Sequence, residues 1–93
     1  MIYAMVLLAI TDREKLAAYR NAAGSVLARH DGKLVAAAPE PTVLEGTITA
    51  PDIAAVLSFP ERESALAWIN DPDLKDVHEL RRTGADSSII LLA

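Results

Sequence analysis

The sequence predicts an α+β fold of strand, helix, strand, strand, helix, strand order, and three observations predict it. Apolar runs at Ile2–Ile10, Ile53–Phe59 and Ser88–Ala93 read as strands, a three-and-four-spaced stripe between Leu16 and His30 reads as a helix, and proline and glycine fall between these segments. The 93 residues carry 9 Lys plus Arg against 13 Asp plus Glu, a net charge of −4, and 52% of them are hydrophobic. That balance describes one small acidic domain, expected to span residues 1–93. It argues against nucleic-acid binding, which at this size demands a basic stripe. With no cysteine there is no disulfide, no thiolate metal site and no cysteine nucleophile. Histidine and carboxylate chemistry is what remains.

Ile2–Ile10 is apolar at successive positions, as expected of a strand buried on both faces. It is too short to cross a bilayer and has no basic lead, so it reads as a strand rather than a leader, with the cytoplasm as the default location and no membrane partner. Thr11-Asp12-Arg13-Glu14 has the capping-box spacing, with the Thr11 hydroxyl as the expected cap of a helix over about Asp12–His30. Leu16, Tyr19, Ala23, Val26 or Leu27, and His30 form its apolar stripe, while Arg13, Lys15, Arg20 and Arg29 lie elsewhere on the cylinder. Gly24 interrupts it, with close packing as the expected reason, and Asp31-Gly32 is the stop, Gly32 taking the left-handed conformation.

Lys33–Ala38 is the second strand, and Pro39-Glu40-Pro41 forces an extended or bulged path into an irregular edge segment over Thr42–Thr49. Ile53–Phe59 is the third strand, ended by Pro60. A short helix from Glu61 carries Ala65, Leu66, Trp68 and Ile69, and Asp71-Pro72 restarts helical structure through Leu74, Val77, Leu80 and Arg81. Gly84–Ser87 is expected as a loop and Ser88–Ala93 as the fourth strand.

This order is the split βαβ arrangement of ferredoxin-like domains: a four-stranded antiparallel sheet with helices on one face. The strands want burial on both faces, and a chain this short buries only ~60–65% of its unfolded surface. The plainest cover for the bare face is a second copy, so a sheet-to-sheet homodimer is expected.

Leu44-Glu45-Gly46, Phe59-Pro60, Ala65-Leu66-Ala67-Trp68, Asn70-Asp71-Pro72 and Arg81, in this order, resemble the domain-of-unknown-function 1330 family over nearly the whole chain. The passage from Tyr19 through Asp31-Gly32-Lys33-Leu34-Val35 belongs to the same resemblance, although Asp31 and Leu34 depart from its Gly pair and aromatic. Where the family has an Arg-Gly-Gly stretch, this chain reads Ala36-Ala37-Ala38-Pro39, so no ligand role of that Arg carries over. Trp68-Ile69 and Asp71-Pro72 stand where the family has Trp-Tyr and Ser-Pro. The resemblance implies a dimeric α+β barrel and no established reaction. Barrels of related architecture include cofactor-independent monooxygenases and isomerases, a likeness of fold alone.

Five residues are candidates for a ligand site. His78 and Arg81 project from one side of the second helix and are the catalytic candidates, read either as the border of a cleft or as part of a solvated face with Lys75 and Arg82. Tyr19 and Trp68 are read either as core or as facing walls of a pocket between helices and sheet. Glu45 is a loop carboxylate that a turn either presents inward or leaves exposed. His30 is placed at a helix end, where a cation favours the dipole. Two histidines without matched carboxylates make no metal site, and no cofactor motif is present, so neither metal nor cofactor is expected. The reading is a small-molecule binding domain for an anionic or aromatic metabolite, or a cofactor-free enzyme; the alternative is a noncatalytic accessory dimer.

Overall fold

The computed structural model describes residues 1–93. The elements are β1 (Ile2–Ile10), α1 (Arg13–Ala28), β2 (Lys33–Pro39), β3 (Ile53–Phe59), α2 (Arg62–Asn70), a 3₁₀ turn (Pro72–Leu74), α3 (Lys75–Gly84) and β4 (Ala85–Leu92). The strands form one antiparallel sheet in the order β2-β3-β1-β4. This is the expected α+β architecture, with the second helical region divided into two helices by the 3₁₀ turn.

Register sorts the apolar strands into two faces. Ala4 lies between Leu57 and Leu91, Val6 between Ala55 and Ile89, and Leu8 between Ile53 and Ser87. These residues meet Leu16, Leu27, Ala65, Trp68 and Leu74 of the helical layer in a single core. On the other face Met5 sits between Val56 and Ile90, and Tyr3 between Ser58 and Leu92; Tyr3, Met5, Ile90 and Leu92 are exposed. The unbroken apolar runs therefore encode a sheet with one face under helices and one apolar face open.

Several local expectations are corrected. The α1 cap is Asp12, whose carboxylate accepts from the Glu14 and Lys15 amides at 3.1 Å, while the Thr11 hydroxyl donates instead to the Thr83 carbonyl. At the end of α1 the left-handed residue is Asp31 (φ 59°), not Gly32. Gly32 is needed for a different reason: a Cβ there would lie 2.6 Å from Leu27 Cδ1 and 2.8 Å from Phe59 Cε1. Gly24 is not closely packed, since a Cβ would meet nothing within 4 Å. No loop separates α3 from β4; Gly84 ends the helix and Ala85 begins the strand.

Gly84 is where the two long helices meet. Its carbonyl accepts from both the Thr11 and Asp12 amides at 3.0 Å, and a Cβ would lie 2.6 Å from the Leu16 nitrogen. The end of β1 is thereby tied to the end of α3. The segment between β2 and β3 has no regular structure. It is closed at its base by the Glu40 amide on the Asp52 carbonyl (2.8 Å), and it is fixed to β1 by the Ile10 amide on the Asp52 carboxylate (2.7 Å).

Candidate functional site

A cavity of about 300 Å³ lies between α1 and the sheet. Val6, Leu8, Leu27 and Leu57 are buried and form the floor, with the buried Trp68 as a wall, whereas Arg20, Gly24, Leu34 and Ala37 are exposed and mark the opening. The opening exists for two local reasons. Gly24 puts no side chain on the helix face, and the register of β2 against β3 shifts between Leu34 and Ala36, a bulge in the edge strand. Of the 13 lining residues 11 are hydrophobic, none is acidic, and the charged one is Arg20. A shallower groove, lined by Ile10, Arg13, Leu16, Ala17, Arg20 and Asn21, shares Arg20 with it.

Tyr19 and Trp68 both line the cavity, and Arg81 stands against both of them. Its guanidinium carbon is 5.5 Å from the Tyr19 ring centroid and 5.6 Å from that of Trp68, within cation–π range. Arg81 is 2% exposed and His78 1%. The solvated face that was one reading of this side of α3 is thus excluded for these two residues: the inward face of the helix carries His78, Arg81 and Gly84. Burying a guanidinium demands partners. Those partners are neutral: Arg81 Nε donates to Ser87 Oγ at 3.2 Å and Nη1 to His78 Nδ1 at 2.7 Å. The ion pairs of the chain, Arg29–Asp73, His30–Asp71 and Arg82–Glu79, leave Arg81 without a carboxylate.

These bonds define the state of His78. Accepting from Arg81 at Nδ1 leaves the proton on Nε2, which donates to the Trp68 carbonyl at 2.9 Å, and the imidazole packs edge-on to the Trp68 ring at 4.9 Å. Both ring nitrogens are engaged within the fold, which ties His78 to Arg81 on one side and to the Trp68 backbone on the other. Trp68, also packed against Phe59 with ring centroids 5.6 Å apart and planes tilted by 45°, keeps its indole Nε1–H without a hydrogen-bond partner. An unpaired buried donor costs roughly 1–3 kcal/mol.

Burial holds the His78 imidazole below its ordinary value of 6.5, outweighing the Trp68 carbonyl, which pulls the other way; the charges of Arg81 and Arg82 add to the depression. Because the folded value is depressed, the unfolded chain takes up a proton first as the pH falls below 6.5. The stabilisation is complete above 6.5 and is lost as the pH falls through the folded value. Melting temperatures should therefore fall between pH 7 and pH 5, with a smaller slope in His78→Gln. An equal slope in both proteins would contradict this assignment. The Asp71 carboxyl is held below 3.8, first by the hydrogen bond from His30 and then by the Asp73 amide, so its contribution is lost only on further acidification.

His30 does not simply face the helix dipole: its Nε2 donates to Asp71 at 2.9 Å, joining the end of α1 to the start of the 3₁₀ turn. Glu45 is exposed and lies outside the cavity lining. Arg20, placed on the polar side of α1 by the sequence pattern, is the charged lining residue that sequence reasoning missed. No group of three or more His, Asp or Glu side chains gathers at a common point.

The profile of the domain of unknown function DUF1330 matches residues 1–93. The chain belongs to the DUF1330 family. DUF1330 sets no reaction, and no curated protein is significantly similar in sequence. Among solved structures, the chain is similar to RPA0582 of Rhodopseudomonas palustris, a protein of unknown function. Identity is 23% and the TM-score 0.81, over 98% of this chain and 79% of that one. The methylated form of RPA0582 gives the same identity and TM-score and is covered over 78% of its length. At3g17210 of Arabidopsis thaliana is 12% identical with a TM-score of 0.72, over 100% of this chain and 94% of that one. At these identities the likeness establishes the fold, and this DUF1330 chain's chemistry has to be read from its own residues.

Proposed function

We propose that this protein binds a small anionic or aromatic metabolite in the cleft between α1 and the sheet, with Tyr19 and Trp68 as walls. One observation carries the reading: the cavity has an apolar floor and no acidic lining, and the buried Arg81 packed behind its aromatic wall lacks a carboxylate partner. A buried, uncompensated cation costs stability unless an anion approaches it, so its position beside the cleft fits a ligand of negative charge. The volume is at the small end of the range for ligand pockets. Tyr19, Trp68 and Arg81 are the site residues, His78 positions Arg81, and Glu45 has no place in it. Binding is assigned, and no bond-making step, because both nitrogens of His78 are occupied.

The same reading includes a homodimer formed through the open sheet face, where Tyr3, Met5, Ile90 and Leu92 would be covered by a second copy. Residues 1–93 act as one domain in this reading, with a cytoplasmic location. No helix is long and apolar enough to cross a membrane. Sedimentation at micromolar concentration should give twice the 10.0 kDa chain mass, and Ile90→Glu should give a monomer. A monomeric parent chain would refute the dimer. A thermal-shift screen against aromatic and carboxylate metabolites tests the site. A saturable rise in melting temperature is expected. A flat response would favour the noncatalytic accessory dimer.

A further inference from the structure

The two cavities that share Arg20 differ in character, and their junction points to the ligand's class. One is the apolar cleft described above; the other is the groove whose polar lining consists of Arg13, Arg20 and Asn21. All three are hydrogen-bond donors on exposed positions of α1, and neither lining contains an acid. Arg13 and Arg20 take part in none of the ion pairs of the chain. A ligand lying across the junction would place hydrocarbon on the floor of Val6, Leu27 and Leu57 and an anionic head among these donors.

We infer that the cleft takes an amphiphilic monocarboxylate, its carboxylate held at Arg20 on the rim and its hydrocarbon body on the buried floor. This rests on the reading above and adds to it the class and orientation of the ligand. The head belongs at the rim because a carboxylate keeps part of its hydration there, whereas full burial would strip that hydration away. A guanidinium with an unoccupied planar fork suits a carboxylate in two-point contact, and Asn21 supplies a further donor in the same groove. Arg81 does not line the cavity; Tyr19 and Trp68 stand between, so it contributes field rather than contact. An amine or an amino acid finds no carboxylate in either lining to meet its ammonium group, so the site selects against both.

Trp68 is the sole tryptophan and lines the cavity, so its emission reports occupancy. The experiment titrates octanoate, octanol and octylamine, which share a chain and differ in the head, against the parent protein, Arg20→Glu and Gly24→Leu. Octanoate should change the emission to saturation, with octanol at least ~10-fold weaker and octylamine silent. Arg20→Glu, at an exposed helix position, should lose octanoate by ~10-fold or more while keeping the weak octanol response. Gly24→Leu, which puts a side chain into the opening where a Cβ meets no neighbour, should lose both. Equal affinity for octanoate and octanol, or an unchanged octanoate affinity in Arg20→Glu, would overturn the assignment of the head while leaving the cleft as a ligand site. Silence towards octanoate with saturable binding of an aromatic metabolite would overturn the class. Silence towards every compound would remove the cleft reading itself.

Discussion

Gly84→Ala is expected to lower the melting temperature by on the order of 10 °C or more, from an overpacking cost of roughly 2–3 kcal/mol in a chain this small. The added Cβ would lie 2.6 Å from the nitrogen and 2.9 Å from the Cα of Leu16, and neither atom can yield cheaply. The Leu16 amide is bonded to the Asp12 carbonyl at 3.1 Å in the first turn of α1, and the Thr11 and Asp12 amides converge on the Gly84 carbonyl. Relief would require α1 to lift from α3, and the core residue Leu16 would lift with it. Gly24→Ala is the matched control. Its Cβ meets nothing, and replacing a mid-helix glycine should raise stability by about 0.5–1 kcal/mol. Thermal melts of the two variants, followed by circular dichroism, should move in opposite directions. A Gly84→Ala protein as stable as the parent would contradict the close approach of the helices.

The second large effect is expected at Arg81. Arg81→Ala strips the Nη1 donor from His78 Nδ1 and the Nε donor from Ser87, and it empties the space between Tyr19 and Trp68. The combined cost is about 2–4 kcal/mol, the order of a large-to-small core substitution plus unmade hydrogen bonds. Arg81→Met separates charge from packing. It fills the space and removes an uncompensated buried cation, so it should recover a large part of that loss. Both variants should be stabilised less by a carboxylate than the parent, because the buried charge behind Tyr19 and Trp68 is gone while Arg20 at the rim remains. If Arg81→Met bound carboxylates as the parent does, the guanidinium would have no part in recognition, whatever its effect on stability. Denaturant unfolding of the parent and both variants, with and without ligand, separates the two contributions.

The sequence was most informative where burial is made by apolar residues. β1 and β3 begin and end where their apolar runs do, and the stripe through Leu16, Tyr19 and Leu27 identifies α1. It was least informative where the buried face is polar. The inward side of α3 is His78, Arg81 and Gly84, a pattern that hydropathy reads as solvent-facing, and its burial depends on Trp68 and Ser87 arriving from α2 and β4. Glycines misled for a related reason. Gly24 looked like a packing residue and faces open space, whereas Gly84 looked like the start of a loop and sits so close to α1 that a Cβ would lie 2.6 Å from the Leu16 nitrogen. No local pattern separates the two, since the difference lies in what a distant segment brings against them.

The site shows the same division. Tyr19 and Trp68 could be paired across a pocket from their helix positions, but the guanidinium between their rings required three-dimensional placement. Arg20 carried no signal of its own, because an exposed helical arginine is ordinary and its place at the rim of a cavity depends on Gly24 and on the bulge in the distant β2. Glu45, attractive as an acid in an irregular stretch, is exposed there.

The most direct measurement follows the Trp68 indole N–H in a ¹H–¹⁵N correlation spectrum. The chain has one tryptophan, so the spectrum has one indole resonance; Trp68 lines the cavity, and its indole Nε1–H, shielded from solvent and without a hydrogen-bond partner, reports changes around the ring. Adding a carboxylate or aromatic metabolite that occupies the cleft should shift this resonance saturably, together with the amides of Ala23, Gly24 and Ala55. A ligand that raises the melting temperature yet leaves the Trp68 indole and these amides unmoved would bind elsewhere, and would contradict the cleft as the binding site.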